Sequence, residues 1–332
     1  MIFIKKLASR VVGFLAVIFL LQESGIGSSK PKVVVIRKAS PDYQIVSEGL
    51  KRELERSYEL GELTIAKDTS FDEVRSYLEN EKPSLMVLMD NQSIDFGMQY
   101  NAKVGSPNQR IKGLGMMGLN LGNIIQKSDD LAGIAYESPA YSLVTQFRFV
   151  VEKPIKKVTV LYRKKFFSNR IEEARQQLGK EKIVLHAVAV DDSGDDEASI
   201  RSRLEAELEK VKQTGYTDAV WVLLDSVLLK PQWFKEIWTP IARGAKAPFL
   251  VETETLARKD IDFGTFATTP NLQDLVGQAV QIVDAIALDG TSPKEIGVES
   301  VVSVNKILNK ARITSIGINI KSDNLDDVKV IE

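Results

Sequence analysis

The chain has 332 residues, 44% of them hydrophobic and 27% charged, with a formal charge of -1 and no cysteine. That is the composition of an ordinary globular protein, too long for one typical domain and comfortable for two. The near-neutral charge argues against a phosphate-neutralising surface, so nucleic acid is not an expected partner, and without cysteine neither disulfides nor a thiolate metal site can exist.

Residues 1–29 differ from the rest. Lys5, Lys6 and Arg10 precede an apolar run over 11–21 interrupted only by Gly13, and small residues occupy 25–29. This order reads as a cleavable export signal. An uncleaved anchor is the alternative, but the run falls short of the roughly 20 apolar residues a membrane span needs. A lipid anchor would require a cysteine after the cleavage site, so the expectation is a freely diffusing protein of a bacterial periplasm.

Residues 33–36 (VVVI) read as a buried strand, 38–42 as a loop and about 43–58 as a helix. A short strand follows at 63–66, then a helix at 70–80 with an N-cap serine and Asp72 and Glu73 in its first turn. Residues 84–89 (SLMVLM) form a continuous apolar strand. The glycine-rich stretch 103–123 holds a strand near 111–117, another strand runs over 131–136, and ESPAYSLVTQFRFVVEKP leads away as a helix.

At 154–170 the chain repeats its opening. Val158, Val160 and Tyr162 alternate with Thr159, Leu161 and Arg163. A polar loop with Phe166, Phe167, Ser168 and Asn169 then opens a helix at Arg170. Further strands are expected at 183–190, 219–224, 248–251, 263–267 and 298–302, with helices at 196–214, 232–243, 272–288 and 305–311. Such alternation predicts an α/β protein of two open parallel sheets, each with a ligand-competent loop at the carboxyl end of its first strand. Residues 30–135 with about 271–303 would build one lobe, and 136–270 with about 304–332 the other.

Several motifs invite stronger readings. Gly113-Leu-Gly115-Met-Met-Gly118 matches a dinucleotide fingerprint by letter, with Glu137 roughly where an acid would sit. No buried strand precedes it, so a flexible or tightly packed glycine segment is preferred. The acids Asp191, Asp192, Asp195, Asp196 and Glu197 lack calcium-loop spacing and directly precede a helix, which favours a solvated loop and cap. His186 is the only histidine; alone it supports neither a zinc site nor a base paired with a nucleophile. Trp221, Trp233, Phe234 and Trp238 read as core, whereas two adjacent aromatics, Phe166 and Phe167, cannot both point into one core.

Taken together, the segment from Tyr43 through Gly49 to Leu54, the LAGIAYESP turn, KKVTVLYRKKFFSN, DAVWVLLDS and the tail LVGQAVQIVDAIALDGTSPKEIGVESVVSVNKILNKARITSIGI resemble a known family. It is that of ABC-transporter substrate-binding proteins with the type I periplasmic-binding-protein fold. Within it the chain is similar to the uncharacterised or aromatic-amino-acid-type subfamily. The tail is the most specific part: a helix, an LDGTSP turn, a GVES strand and an Asn305-led helix ending at Gly317.

The resemblance implies two Rossmann-like lobes joined by a multi-strand hinge and closing on a small organic ligand, such as an amino acid or other small metabolite. It also implies delivery to an ABC permease of the inner membrane, a monomeric protein, no cofactor and no catalysis. A ligand-sensing input to a sensor kinase or receptor is the alternative use of the same clamshell. Ligand-binding residues carried over by position are Ser40 and Tyr43, Asp90, Asn91, Gln92 and Ser93, Tyr162, Phe166, Phe167, Ser168 and Asn169, Asp225 and Ser226, and Glu252 and Thr253. Where many members of the family have a small-residue turn after the third strand, this chain has Asp90-Asn91-Gln92-Ser93-Ile94. An acid there repels a carboxylate, which gives a neutral or cationic ligand equal weight with an amino acid.

Overall fold

Aliphatic runs with no polar interruption need cover on both faces, and here helices supply it. The computed structural model describes residues 30–191 and 196–332; the expected export signal, together with Asp192 and Asp195 of the acidic run, lies outside the described residues. In chain order the first part gives β1 (Lys32–Lys38), α1 (Pro41–Leu54), β2 (Glu59–Ile65), α2 (Phe71–Glu81), β3 (Leu85–Met89), α3 (Asn91–Lys103), β4 (Lys112–Met116), α4 (Leu121–Ile125) and β5 (Leu131–Ala135). After α5 (Ala140–Val150) come β6 (Lys157–Tyr162), α6 (Lys164–Lys180), β7 (Val184–Ala189), α7 (Glu197–Lys210), β8 (Ala219–Val222), α8 (Pro231–Trp233), α9 (Thr239–Gly244), β9 (Phe249–Val251), α10 (Glu254–Ala257) and β10 (Phe266–Pro270). The chain ends with α11 (Leu272–Ala287), α12 (Pro293–Ile296), β11 (Val298–Ser300), β12 (Val304–Asn309), α13 (Lys310–Ser315) and β13 (Val328–Ile331).

Two sheets result. The first has the order β11-β5-β4-β3-β1-β2 and is parallel throughout; the second has the order β13-β12-β10-β9-β8-β6-β7 and is parallel except where β12 runs antiparallel to β10. Apolar clusters cover both faces of each sheet. The chain passes between the sheets after β5, after β10 and again between β11 and β12, which joins two α/β lobes through a hinge. The β-α loops at the carboxyl ends of the parallel strands, together with the start of the antiparallel β12, therefore face the space between the lobes.

Local chemistry accounts for the boundaries. Ser70 caps α2 and exchanges hydrogen bonds with Glu73, a complete capping box. Val276 of α11 packs on α1 at Gly49, where a Cβ would lie 2.7 Å from the valine Cγ2. Two of the three fingerprint-like glycines lie on β4: a Cβ on Gly113 would come within 2.8 Å of the Met86 carbonyl oxygen, and one on Gly115 within 2.9 Å of Ile125. They are glycines because the sheet is tight there, which is the packing alternative expected from sequence.

Four expectations need correction. The helix expected at 305–311 is β12 up to Asn309, with Ile307 and Leu308 fully buried beside β10; only the short α13 follows. The strand expected at 263–267 begins at Phe266, because the Phe263 side chain belongs to an aromatic cluster with Phe234, Trp238 and Phe249. Helix α6 starts at Lys164, not at Arg170, so Phe166 to Asn169 are helical. Asp191 accepts from the Lys164 and Lys165 amides and caps that start across the β6–β7 edge, a long-range cap invisible to local reading. Finally, the helix expected over 232–243 contains a π turn, Phe234–Trp238, just before Pro240, which has no amide hydrogen to continue an α-helical ladder.

Candidate functional site

Two cavities open between the lobes. The larger, about 620 Å³, is lined by Ser40, Asp42 and Tyr43 after β1, Met117 and Tyr136 after β4 and β5, Leu224 after β8, Glu252 to Thr255 after β9, and Thr269, Pro270 and Asn305 at the crossings. Loop tips of both sheets thus converge on one volume within the range of small-molecule sites. The second, about 540 Å³, lies on the other side of the β5–α5 crossing, between the α4 loop, α6 and β11; Asn120, Glu137, Asn169, Arg170 and Trp221 help to line it.

A buried polar cluster stands between the two. Arg170 Nη2 donates to Glu252 Oε1 at 2.6 Å and to the Ser138 carbonyl at 3.1 Å, and Trp221 Nε1 donates to the same Glu252 oxygen at 2.7 Å. The guanidinium carbon lies 5.3 Å from the Trp221 ring centroid, a cation–π contact. Glu252 Oε2 and Arg170 Nη1 are buried without hydrogen-bond partners. Burial pushes the Glu252 carboxyl above the usual range, against the opposing pull of Arg170 and Trp221.

In the larger cavity Tyr43 and Tyr136 are half-buried neighbours. Burial, then Asp42 and Tyr43, push the Tyr136 phenol up to about 12; burial, then Asp90 and Asp42, raise that of Tyr43. Both phenols stay protonated, and among the described residues neither hydroxyl has a hydrogen-bond partner. The charged groups around them are acids: Asp42, Glu252 and Glu254 line the cavity beside a single base, Arg258. That guanidinium is already committed to Asp260 through bonds of 2.9 and 2.8 Å.

The fifteen positions singled out from sequence separate into groups. Ser40, Tyr43, Glu252 and Thr253 meet in the larger cavity, and Asn169 lines the second. Asp90 has φ 128°, outside the range side chains favour, and caps α3 by accepting from the Gln92 and Ser93 amides; its Oδ1 lies 3.5 Å from Lys38 Nζ, and its Oδ2 is buried without a partner. Asn91 braces the loop after β4, donating to the Leu119 carbonyl and accepting from its amide. Gln92 donates to the Ala66 carbonyl, and buried Ser93 to that of Asp90.

The remaining positions line neither cavity. Phe167 is buried in the core beside half-buried Tyr162. Phe166 is exposed, stacks 4.2 Å from the Arg163 guanidinium, and its carbonyl accepts from Asn120 and Asn123 across the cleft. Ser168 bonds back to the Lys164 carbonyl. Asp225 is consumed by capping the Val227 and Leu228 amides and by pairing with Arg163 at 2.7 Å, and Ser226 is exposed beside it. Sequence reading missed Asp42, Met117, Asn120, Asn123, Tyr136, Glu137 and Arg170. Tyr136 and Glu137 closed a recognised strand and Arg170 adjoined a chosen residue, so the rule that loops at strand ends face the cleft could have found them.

Among the described residues no group of three or more His, Asp or Glu side chains could hold a metal ion, and no helix is long and apolar enough to cross a membrane.

No protein-family model matches the chain, and no curated protein matches it in sequence. Solved structures do match. A substrate binding protein with adhesive properties from Clostridium difficile, in its ligand-free open form, aligns with a TM-score of 0.62 at 14% identity over 91% of this chain and 99% of its own. A conserved domain protein of Vibrio cholerae aligns at 0.59 with 16% identity, over 92% of this chain and 100% of its own. An ABC domain from Streptococcus pneumoniae in complex with L-Trp aligns at 0.56 with 15% identity, over 90% of this chain and 100% of its own. The architecture is therefore that of the type I periplasmic-binding-protein fold. At such identities the likeness is one of fold and singles out no aromatic-amino-acid subfamily.

Proposed function

We propose that the protein is an exported solute-binding protein that captures a small organic molecule between its lobes and hands it to an ABC importer. The observation that carries this reading is the cavity of about 620 Å³ built by strand-end loops of both sheets and by the crossings between them. A ligand held there touches both lobes at once, so it stabilises whichever hinge angle brings them together. Residues 30–135 with 271–303 form one jaw in this reading and 136–270 with 304–332 the other. Ser40, Tyr43, Glu252 and Thr253 contact the ligand directly, and the protein acts as a monomer in the periplasm, without cofactor or bond chemistry.

The test is the radius of gyration and melting temperature of the protein from residue 30 onward, measured against a panel of metabolites. A saturable rise in melting temperature together with a smaller radius is the expected result. No response to any compound, with no small molecule carried through purification, would remove the proposal.

A further inference from the structure

We infer that the molecule taken up in the larger cavity is a small organic cation, an ammonium group on an apolar body, recognised without a carboxylate. This inference names the ligand class for the site described above and rests on the solute-binding reading.

The wall chemistry is one-sided. Asp42 is exposed at the first turn of α1, has no ion-pair partner among the described residues, and shares the cavity with Glu252 and Glu254. Glu254 is held by Lys329, and Glu252, paired through Oε1 with Arg170, keeps its other oxygen buried and unpartnered. The only base on the wall, Arg258, has its guanidinium engaged by Asp260. A carboxylate entering here would therefore meet the unpaired Asp42 and would have to draw Arg258 away from Asp260.

Helix α1 points its amino end at the cavity, which elsewhere is an anion site. Asp42 in that first turn already answers its field. An ammonium finds the opposite situation. Tyr43 and Tyr136 offer two ring faces, their free hydroxyl oxygens can accept, and Asp42 supplies the countercharge. Ser40, Thr253 and Thr269 add acceptor oxygens, while Met117, Leu224, Pro270 and Leu272 give the apolar half of the wall. Asp90 lies near enough to act on the Tyr43 phenol; its Oδ1 caps α3 and lies 3.5 Å from Lys38 Nζ, and its Oδ2 is buried without a partner.

The experiment uses a matched set sharing one apolar body: 2-phenylethylamine, L-phenylalanine and 3-phenylpropionate, with putrescine and choline as further cations. Binding to the protein from residue 30 onward is measured by calorimetry at pH 7, beside native mass spectrometry of the protein purified from periplasm. At least one cation should bind saturably, 3-phenylpropionate should not, and L-phenylalanine should bind at least about 10-fold more weakly than 2-phenylethylamine. Asp42→Asn, a surface change checked by an unaltered circular dichroism spectrum, should weaken the cation about 10-fold, and Tyr136→Phe tests the phenol separately.

Binding of the carboxylates in preference to the amines, or a co-purifying anion, would overturn the cation inference while leaving the solute-binding reading intact. Should no probe bind while a molecule does co-purify, its charge decides: a cation supports the inference and an anion or zwitterion overturns it. If nothing binds and nothing co-purifies, the solute-binding reading fails and the ligand class fails with it.

Discussion

Asp225 shows how one carboxylate can look like a ligand group and be fully spent on structure. Its side chain is shielded from solvent, one oxygen takes two backbone amides, and the other takes Arg163. Replacing it by alanine deletes a cap and strands a mostly buried guanidinium. Asp225→Ala should therefore cost about 3 kcal/mol of unfolding free energy, read from urea denaturation. His186 offers a second single-residue test. Burial first, and then Lys157, hold its imidazole below the ordinary value of 6.5. The unfolded chain thus binds a proton more readily than the folded one, so the neutral ring's contribution is present above pH 6.5 and is lost as pH falls through the folded value. His186→Gln should flatten the acid side of a melting-temperature profile below pH 6.5, and an unchanged slope would contradict this assignment.

At the scale of elements, the packing of β4 makes a contrasting pair of glycine substitutions informative. Gly113→Ala forces a methyl against the Met86 carbonyl, a backbone atom with no rotamer to retreat into, and should destabilise by about 1–3 kcal/mol. Gly277 lies in the interior of α11 with open space around it. Gly277→Ala should stabilise by about 1 kcal/mol, since it only restricts the unfolded chain and improves helix propensity. Thermal melts of the two variants should move in opposite directions.

Which elements could be read from the sequence follows from the same physics. Strands such as VVVI and SLMVLM, buried on both faces, are continuous apolar runs, and α2 announces itself by its capping box. The start of α6 was illegible because its cap, Asp191, is 27 residues downstream. β12 was illegible because its neighbour β10 is antiparallel and lies across a crossing. In the site, Ser40, Tyr43, Glu252 and Thr253 were reachable from the loop rule. Asp42, Tyr136 and Arg170 sit beside segments that rule selects, whereas Asn120 and Asn123 needed the relative placement of the two sheets.

In the proposed solute-binding cycle the decisive quantity for the whole molecule is the free-energy difference between open and closed arrangements of the lobes. On the side of the second cavity the jaws touch through asparagines. Asn120 and Asn123 donate to the Phe166 carbonyl at 3.1 and 3.0 Å, and Asn169 Nδ2 donates to Asn123 Oδ1 at 3.0 Å. Asn91 fixes the base of this bridge, since it grips Leu119 one residue before Asn120. Asn123 makes two of the cross-cleft bonds, so Asn123→Ala removes both, at about 0.5–1.5 kcal/mol each. The loss falls on the closed form alone, because the open form leaves these groups in water. A net change of about 1.4 kcal/mol shifts the closed-to-open ratio tenfold, and the apparent affinity for a ligand that needs the closed form weakens by up to the same factor. Small-angle scattering of Asn123→Ala without ligand should give a larger radius of gyration than the parent chain. Global unfolding free energy should change by less than for Asp225→Ala, since opening of the lobes limits the loss. A variant that keeps the parent radius would show that the asparagine bridge does not set the hinge equilibrium.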